Sequence, residues 1–309
     1  MKKVFLTTAL CSVLALGVVP AGLAANVDQT PAVSISKTSV NNDVTAKKLT
    51  EEAQDGLIDD AIAALEKTNQ ALAALQKQDK ETALSALAEA IGKLELVTSA
   101  KPELAFAPIK IQGRLYDLFA DPKVVDETRR RAVDLLRDGH VPEARALLAN
   151  LASEVVIETT SIPLGLYPDA IKDVVPLITD DKVDEAITAL QATLDTLVVS
   201  DVIIPLPILR AEAAIEEAQS LANSDKGLSR AELTKVNDYL DVAQQQLRLT
   251  VALGYADRGS LKDLHKSIEE VRKQVKAGKK GTKSFADIVK RMKLKSAIEK
   301  KHVNSVSAS

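Results

Sequence analysis

Apolar residues recur at three- and four-residue steps along most of this chain, the period of helices that bury one face. Leu49, Ala53, Leu57, Ala61, Leu65, Leu72 and Leu75 predict a helix over Thr45 to Lys77, with Gly56 a tolerable cost in its interior. A turn at Gln78-Asp79 leads to a second helix, Glu81 to Val97, carried by Leu84, Leu87, Ile91 and Leu94. Asp121-Pro122 reads as an N-cap followed by Pro at the first helical position, opening a helix that runs to Arg137 and stops at Gly139; Pro142 opens the next. Farther on, Ser229 to Glu232 has the form of a capping box for a helix that ends at Gly254. Ser260 to Asp263 starts another, ending at Gly278, and Ser284 to Asp287 caps the last.

The pattern also repeats. Leu136, Ala144, Leu148, Val156 and Pro163 have counterparts 42 positions on, at Ile178, Ala186, Leu190, Val198 and Pro205. Going back 61 positions from Leu136, Ala144 and Leu148 gives Leu75, Ala83 and Leu87. Three related antiparallel hairpins are therefore expected, the first set off by an insertion between Glu103 and about Glu127. Inside the insertion, Pro108 to Phe119 fits a short strand followed by a helical turn, or one irregular helix. Unequal spacing argues against a strict solenoid and for hairpins packed into one globular body.

Two stretches resist the helical reading. Val155 to Thr160 and Val198 to Ile203 have the β-branched composition of strands, yet each follows a helical pattern without a turn signal. They are read as helix ends running into an extended, Pro-containing link, with a β-pair between the two copies as the alternative. The fold class expected is all-α: three related hairpins in one body of about nine helices, with leader and tail loosely attached and a basic C-terminal helix.

Composition narrows the class further. Of 309 residues 46% are hydrophobic but only 3% aromatic, with no Trp, so Ala, Leu, Val and Ile must fill the core and aromatic stacking platforms for sugars or bases are disfavoured. Lys2-Lys3, the apolar run Val4 to Val19 and the small residues after Pro20 have the layout of a secretory signal cleaved near Ala24 or Ala25. Thr7, Thr8, Ser12 and Pro20 weigh against a membrane anchor. Cys11 would leave with the signal, excluding disulfides and thiolate chemistry from the mature chain. The expected order is signal peptide 1–25, flexible leader 26–44, helical domain 45–278 and basic extension 279–309, in a periplasmic protein. The net charge of −3 hides an asymmetry: Arg272 to the end carries 12 Lys/Arg against 2 Asp/Glu, leaving the body acidic.

With this layout the chain resembles the YfdX family of bacterial secreted proteins. The stretches that carry the resemblance are Ala90 to Glu95 with Pro102 and Pro108, Glu158 to Leu164 with Tyr167-Pro168, and Leu253 to Asp257. They spread from about Thr45 to Lys276 and include no motif with chemistry behind it. The resemblance implies a mainly helical periplasmic protein, associated in some members with stress or acid-responsive expression, and supplies no catalytic residue. The basic C-terminal extension departs from the shorter members.

Candidate chemistry is sparse. His140, His265 and His302 have no His or Cys partner at ligand spacing, so no metal or other cofactor is expected; His140 and His265 are read as surface residues. The pairs Asp59-Asp60, Asp180-Asp181 and Glu216-Glu217 point about 100° apart where helical and do not make a shared acid–base site. Phosphate loops, nucleophile elbows and calcium loops are lacking in the sequence. Tyr167, Pro163, Pro205 and Tyr255 are the candidates for a groove where hairpins meet, against the plainer reading that Pro ends a helix and Tyr plugs a joint. In the tail, Phe285, Ile288, Val289 and Met292 fall on one helical stripe edged by Lys290, Arg291 and Lys293. The function expected is non-enzymatic binding of a protein or small ligand through helical surfaces and grooves. The alternatives are an enzyme with a carboxylate or Tyr site, or an anionic-membrane-surface protein using the tail. A homo-oligomer is a further partner expectation, and nucleic acid is not.

Overall fold

The computed structural model describes residues 42–223 and 227–299, with side chains described for 45–223 and 227–292. The expected signal peptide, most of the leader, His302 and the tail beyond Asn304 lie outside the described residues.

Three times in succession the chain forms two antiparallel helices and then a strand. The first set is α2 (Asp59–Leu75), α3 (Lys80–Ala100) and β1 (Phe106–Tyr116); the second is α4 (Pro122–Arg137), α5 (Val141–Leu148) and β2 (Glu154–Pro163). The third is α6 (Tyr167–Thr179), α7 (Val183–Leu194) and β3 (Val198–Pro205). A short helix, α1 (Asn42–Gln54), precedes them, and α8 (Leu206–Ala222), α9 (Arg230–Ala252), α10 (Lys262–Lys276) and α11 (Thr282–Glu299) follow.

Each helix pair turns in the same way. Gln78, Gly139 and Asp181 all sit at positive φ (63°, 80° and 65°), and the next amide reaches back to a carbonyl five residues earlier: Asp79 to Ala74, His140 to Leu135, Lys182 to Leu177, at 2.8–2.9 Å. This left-handed cap satisfies carbonyls that the end of the helix leaves open. The Gln78 and Asp181 turns accept a side chain there at a cost of order 1 kcal/mol, which Gly139 avoids.

The strands correct the all-α expectation. The protein is mostly helical with a three-stranded antiparallel sheet in the order β1-β2-β3. Val155 to Thr160 and Val198 to Ile203 are not helix ends but strand segments, paired Val156↔Ile203 and Thr160↔Val199, as the alternative reading had it. The third strand lies in the insertion, where no helical turn follows Pro108: Phe106 pairs with Pro163 and Tyr116 with Glu154. Pro108 is tolerated because β1 is an edge strand, and the register shifts beside it, between Pro108 and Lys110. There the Pro108 carbonyl accepts the Ile58 N–H at 3.1 Å, fixing the entry to α2. The long helix expected over Thr45 to Lys77 is consequently two, broken at Gly56 and Leu57, which turn back onto the Ala53 and Gln54 carbonyls.

Antiparallel pairing sorts the helices. The start of β1, the end of β2 and the start of β3 share one end of the sheet, so α2–α3 and α6–α7 meet there: α3 packs on α6 and α2 on α7. Their core is built largely from Ala61, Ala64, Ala71, Ala83, Ala86 and Ala90, whose small side chains let the axes approach, closed by Leu75, Leu87, Ile178 and Leu190. The other end of the sheet receives α4–α5 and gives rise to α8. A second core gathers α8, α9, α10 and α11. Phe285, Ile288 and Met292 are fully buried in it, which corrects the expectation of a loosely attached tail: the apolar stripe is the inward face of a packed helix. The described helices number eleven rather than nine, and none is long and apolar enough to cross a membrane.

Helix α1 lies across the sheet, with Ala46, Leu49 and Ala53 against Val155, Ile157, Ile111 and Leu115. Gly113 is what permits the approach, because a Cβ there would come within 1.9 Å of Thr50 Oγ1, itself fixed by a 2.8 Å bond to the Ala46 carbonyl. Gly113→Val is expected to cost about 1–3 kcal/mol in denaturant unfolding. Faster hydrogen exchange should be confined to α1, leaving the β1–β2 amides protected.

Candidate functional site

The four groove candidates do not converge. Tyr167, the first residue of α6, is fully buried in the four-helix core beside Thr68, with its hydroxyl lacking a well-formed hydrogen bond. Burial pushes its phenol up, partly offset by the Thr68 hydroxyl. Pro163 ends β2 and borders an open, mainly apolar groove of about 500 Å³ with Pro102, Phe106 and Leu166. Pro205 is buried at the N-cap of α8. Tyr255 follows Gly254, whose positive φ ends α9 and directs the chain back toward β2.

Tyr255 belongs to a polar node that the sequence gives little sign of. Its hydroxyl oxygen accepts the Ser153 N–H at 3.0 Å. Burial holds its phenol well above the ordinary tyrosine range, and hydrogen bonding to the Glu154 carboxylate adds to this, while the Ser153 amide opposes it. The Ser153 carbonyl accepts from Leu206 N at 2.9 Å, tying the start of β2 to the start of α8. Arg210 of α8, with a side chain only 8% exposed, donates to Asp117 and lies 3.4 Å from Ser153 Oγ. Its guanidinium stacks 4.6 Å from the centre of the Phe119 ring. A cation so enclosed persists only because a carboxylate, a hydroxyl and a ring face replace its water.

On the far side of α4 from the turn lies a cleft of about 410 Å³ assembled from four places in the chain. The start of α4 contributes Pro122, Lys123 and Asp126, held by Asp121, whose carboxylate accepts the Lys123 N–H at 2.8 Å. Arg248, Val251 and Ala252 come from the end of α9, Arg258 from the following loop and His265 from α10. Val125 packs on Leu249 and Ala252 to hold α4 against α9. Three fixed cations and an imidazole thus surround an apolar floor. The one carboxylate among the lining residues, Asp126, is paired with Arg129 at 2.9 Å. Such an arrangement suits an anion carrying an apolar body.

His265 is half-buried here rather than a surface residue. Burial, then repulsion from Arg248, lowers its pKa, so it is neutral near pH 7. His140, in contrast, is exposed as expected, 3.7 Å from Glu143.

Of the tail candidates, Lys290 and Arg291 remain exposed while Phe285, Ile288 and Met292 are core; the Lys293 side chain lies outside the described residues. Arg291 reaches Ser267 Oγ at 3.4 Å. Of the carboxylate pairs, Asp60 holds Lys93 at 2.7 Å and Asp181 holds Lys80 in ion pairs between helices. Among the described residues no group of three His, Cys, Asp or Glu side chains could hold a metal ion.

The model of the YfdX protein family matches residues 64–203, which run from within α2 to within β3. Among solved structures, that of Salmonella Typhi YfdX is similar at 15% identity and a TM-score of 0.34, over 47% of this chain and 90% of that one. No curated protein matches the sequence.

Two outcomes test this geometry. Arg210→Ala removes the cation that pairs with Asp117 and should lower stability by about 3 kcal/mol in urea unfolding. His265 binds its proton more weakly folded than unfolded, so it contributes nothing above its ordinary value near 6.5. As the pH falls below that value the unfolded chain is protonated first, and stability is lost until the folded pKa is passed. His265→Gln should therefore show a smaller fall in Tm between neutral and mildly acidic pH than the parent protein.

Proposed function

We infer from the match of residues 64–203 that the chain is a YfdX family protein, and on that premise propose that it works by binding, without catalysis, in the periplasm. Its role there is to hold a small anionic ligand, in service of protecting the envelope or its proteins under stress. The observation that carries this reading is the cleft of about 410 Å³ whose rim is Lys123, Arg248, Arg258 and His265 and whose floor is Val251 and Ala252. Cations around an apolar floor recognise an aromatic or aliphatic carboxylate or phosphomonoester, burying its body and pairing its charge. As the pH falls, His265 gains a proton and adds to the attraction, so binding tightens toward acid.

The same reading takes the three helix–helix–strand units as copies of one hairpin unit. Its support is that Gln78, Gly139 and Asp181, the left-handed turn residues, are separated by 61 and 42 positions, the spacings of the apolar landmarks. The family match falls on these units and leaves α8–α11 outside it.

Calorimetric titration with benzoate and phenyl phosphate tests the binding reading. Saturable binding is expected, weakened about tenfold or more, at least 1.4 kcal/mol, by Arg248→Ala and by Arg258→Ala. Absence of binding, or equal binding by both variants, would overturn it, and consumption of either compound by the purified protein would overturn the non-enzymatic reading.

A further inference from the structure

Three of the four basic groups around the cleft stand on helices. Lys123 is in the first turn of α4, Arg248 near the end of α9 and His265 in the first turn of α10. Arg258 stands instead in the loop between α9 and α10, where it and its neighbours Asp257 and Gly259 are exposed. A helix fixes where its side chains start through its own backbone bonds, whereas a loop cation is only as well placed as the loop. Arg258 also shares the cleft with Lys123 and Arg248, and like charges favour swinging an exposed side chain away. Something has to hold the loop.

Most of its bonds are local. The chain leaves α9 through Gly254 at φ 85°, and the Tyr255 N–H returns to the Thr250 carbonyl at 3.0 Å. Farther on, the Asp257 carbonyl accepts the Ser260 N–H at 3.0 Å and the Ser260 hydroxyl at 2.8 Å, and Leu261 is buried in the C-terminal core. These contacts shape the two ends of the loop without tying it to the strands. The Tyr255 side chain makes that tie. Its hydroxyl accepts the Ser153 N–H at 3.0 Å and bonds the Glu154 carboxylate, about a hundred residues back in the chain. Ser153 is a firm anchor: it is fully buried, and its carbonyl accepts the Leu206 N–H at 2.9 Å. Arg258 follows Tyr255 by three residues.

We propose that Tyr255 is the positioning residue of the anion cleft, latching the α9–α10 loop to the start of β2 so that Arg258 is held where the ligand's charge is met. This rests on the binding reading above and adds to it how the loop cation is placed before the ligand arrives. A loop ordered in advance loses no further freedom on binding, and that saving appears as affinity. The phenol suits the task. Burial and the neighbouring Glu154 carboxylate keep it protonated well beyond the neutral range, so the latch does not open by ionisation. The arrangement also keys the cleft to the sheet, since Ser153 lies immediately before β2.

Calorimetric titration with phenyl phosphate reads the latch through paired variants. Tyr255→Phe keeps the ring, removes the hydroxyl, and is expected to weaken binding about threefold or more. Because that loss passes through Arg258, Tyr255→Phe/Arg258→Ala should bind no more weakly than Arg258→Ala alone. Tyr255→Phe and Arg248→Ala, by contrast, should multiply their separate losses. Parent-like binding by Tyr255→Phe, or its full loss recurring in the Arg258→Ala background, would overturn the proposal. Amide hydrogen exchange of the ligand-free protein tests the latch separately. The bonded amides of Tyr255, Ser260 and Lys262 should exchange faster in Tyr255→Phe, while Val236 to Leu249 of α9 keep their protection. An unchanged loop would overturn the latch whether or not phenyl phosphate binds. A parent protein that does not bind overturns the binding reading instead, so the two fail separately.

Discussion

The antiparallel register of β2 with both of its neighbours is the constraint on which the rest of this structure depends. Because Phe106 faces Pro163 and Ser161 faces Val198, the chain enters β1, leaves β2 and enters β3 at one end of the sheet. Tyr116, Glu154 and Pro205 mark the other end. The hairpins before β1 and after β2 are thereby brought together and close an alanine-rich core, while the hairpin between β1 and β2 is carried to the opposite end. Backbone pairing thus settles which helices can meet before any side chain is chosen. A one-residue slip of β2 against its neighbours would turn its inward residues to the wrong face.

At that opposite end the structure uses polar chemistry where the other end uses alanine. Arg210, Asp117, Ser153, Glu154 and Tyr255 tie together the exit from β1, the entry to β2, the start of α8 and the loop after α9. An enclosed guanidinium adds little net stability, but it penalises arrangements that leave it unpaired. The cationic cleft lies on the same side of the chain, between the first turn of α4 and the end of α9. On the binding reading proposed above, recognition falls at the seam between the strand-bearing region and the C-terminal helices.

What the sequence made legible was local. The turn at Gln78-Asp79, the stop at Gly139, the Asp121 cap and the Ser229–Glu232 capping box depend on neighbours within a few residues, and each is where its pattern placed it. The strands were ambiguous because the partners of Val155 to Thr160 lie 39 to 50 residues away on either side, so a β-branched run at a helix end has no local signal to decide it. The stripe of Phe285, Ile288 and Met292 was correctly a stripe, but periodicity does not say what covers it, and here it is this chain's own α8–α10. Arg210 carried one hint, a cation directly flanked by Ile208, Leu209 and Ala211. His265 and Arg248 are joined only by the packing of α10 on α9, which no spacing reveals.

The most direct test of the central constraint is amide hydrogen exchange resolved along the whole chain. The amides of β2, bonded on both edges, together with α2, α3, α6 and α7, are predicted to exchange slowest and as one cooperative unit, with α4–α5 opening earlier and separately. Exchange from β2 as fast as from α4–α5, or loss of the α2–α3 and α6–α7 protection in separate steps, would contradict the account.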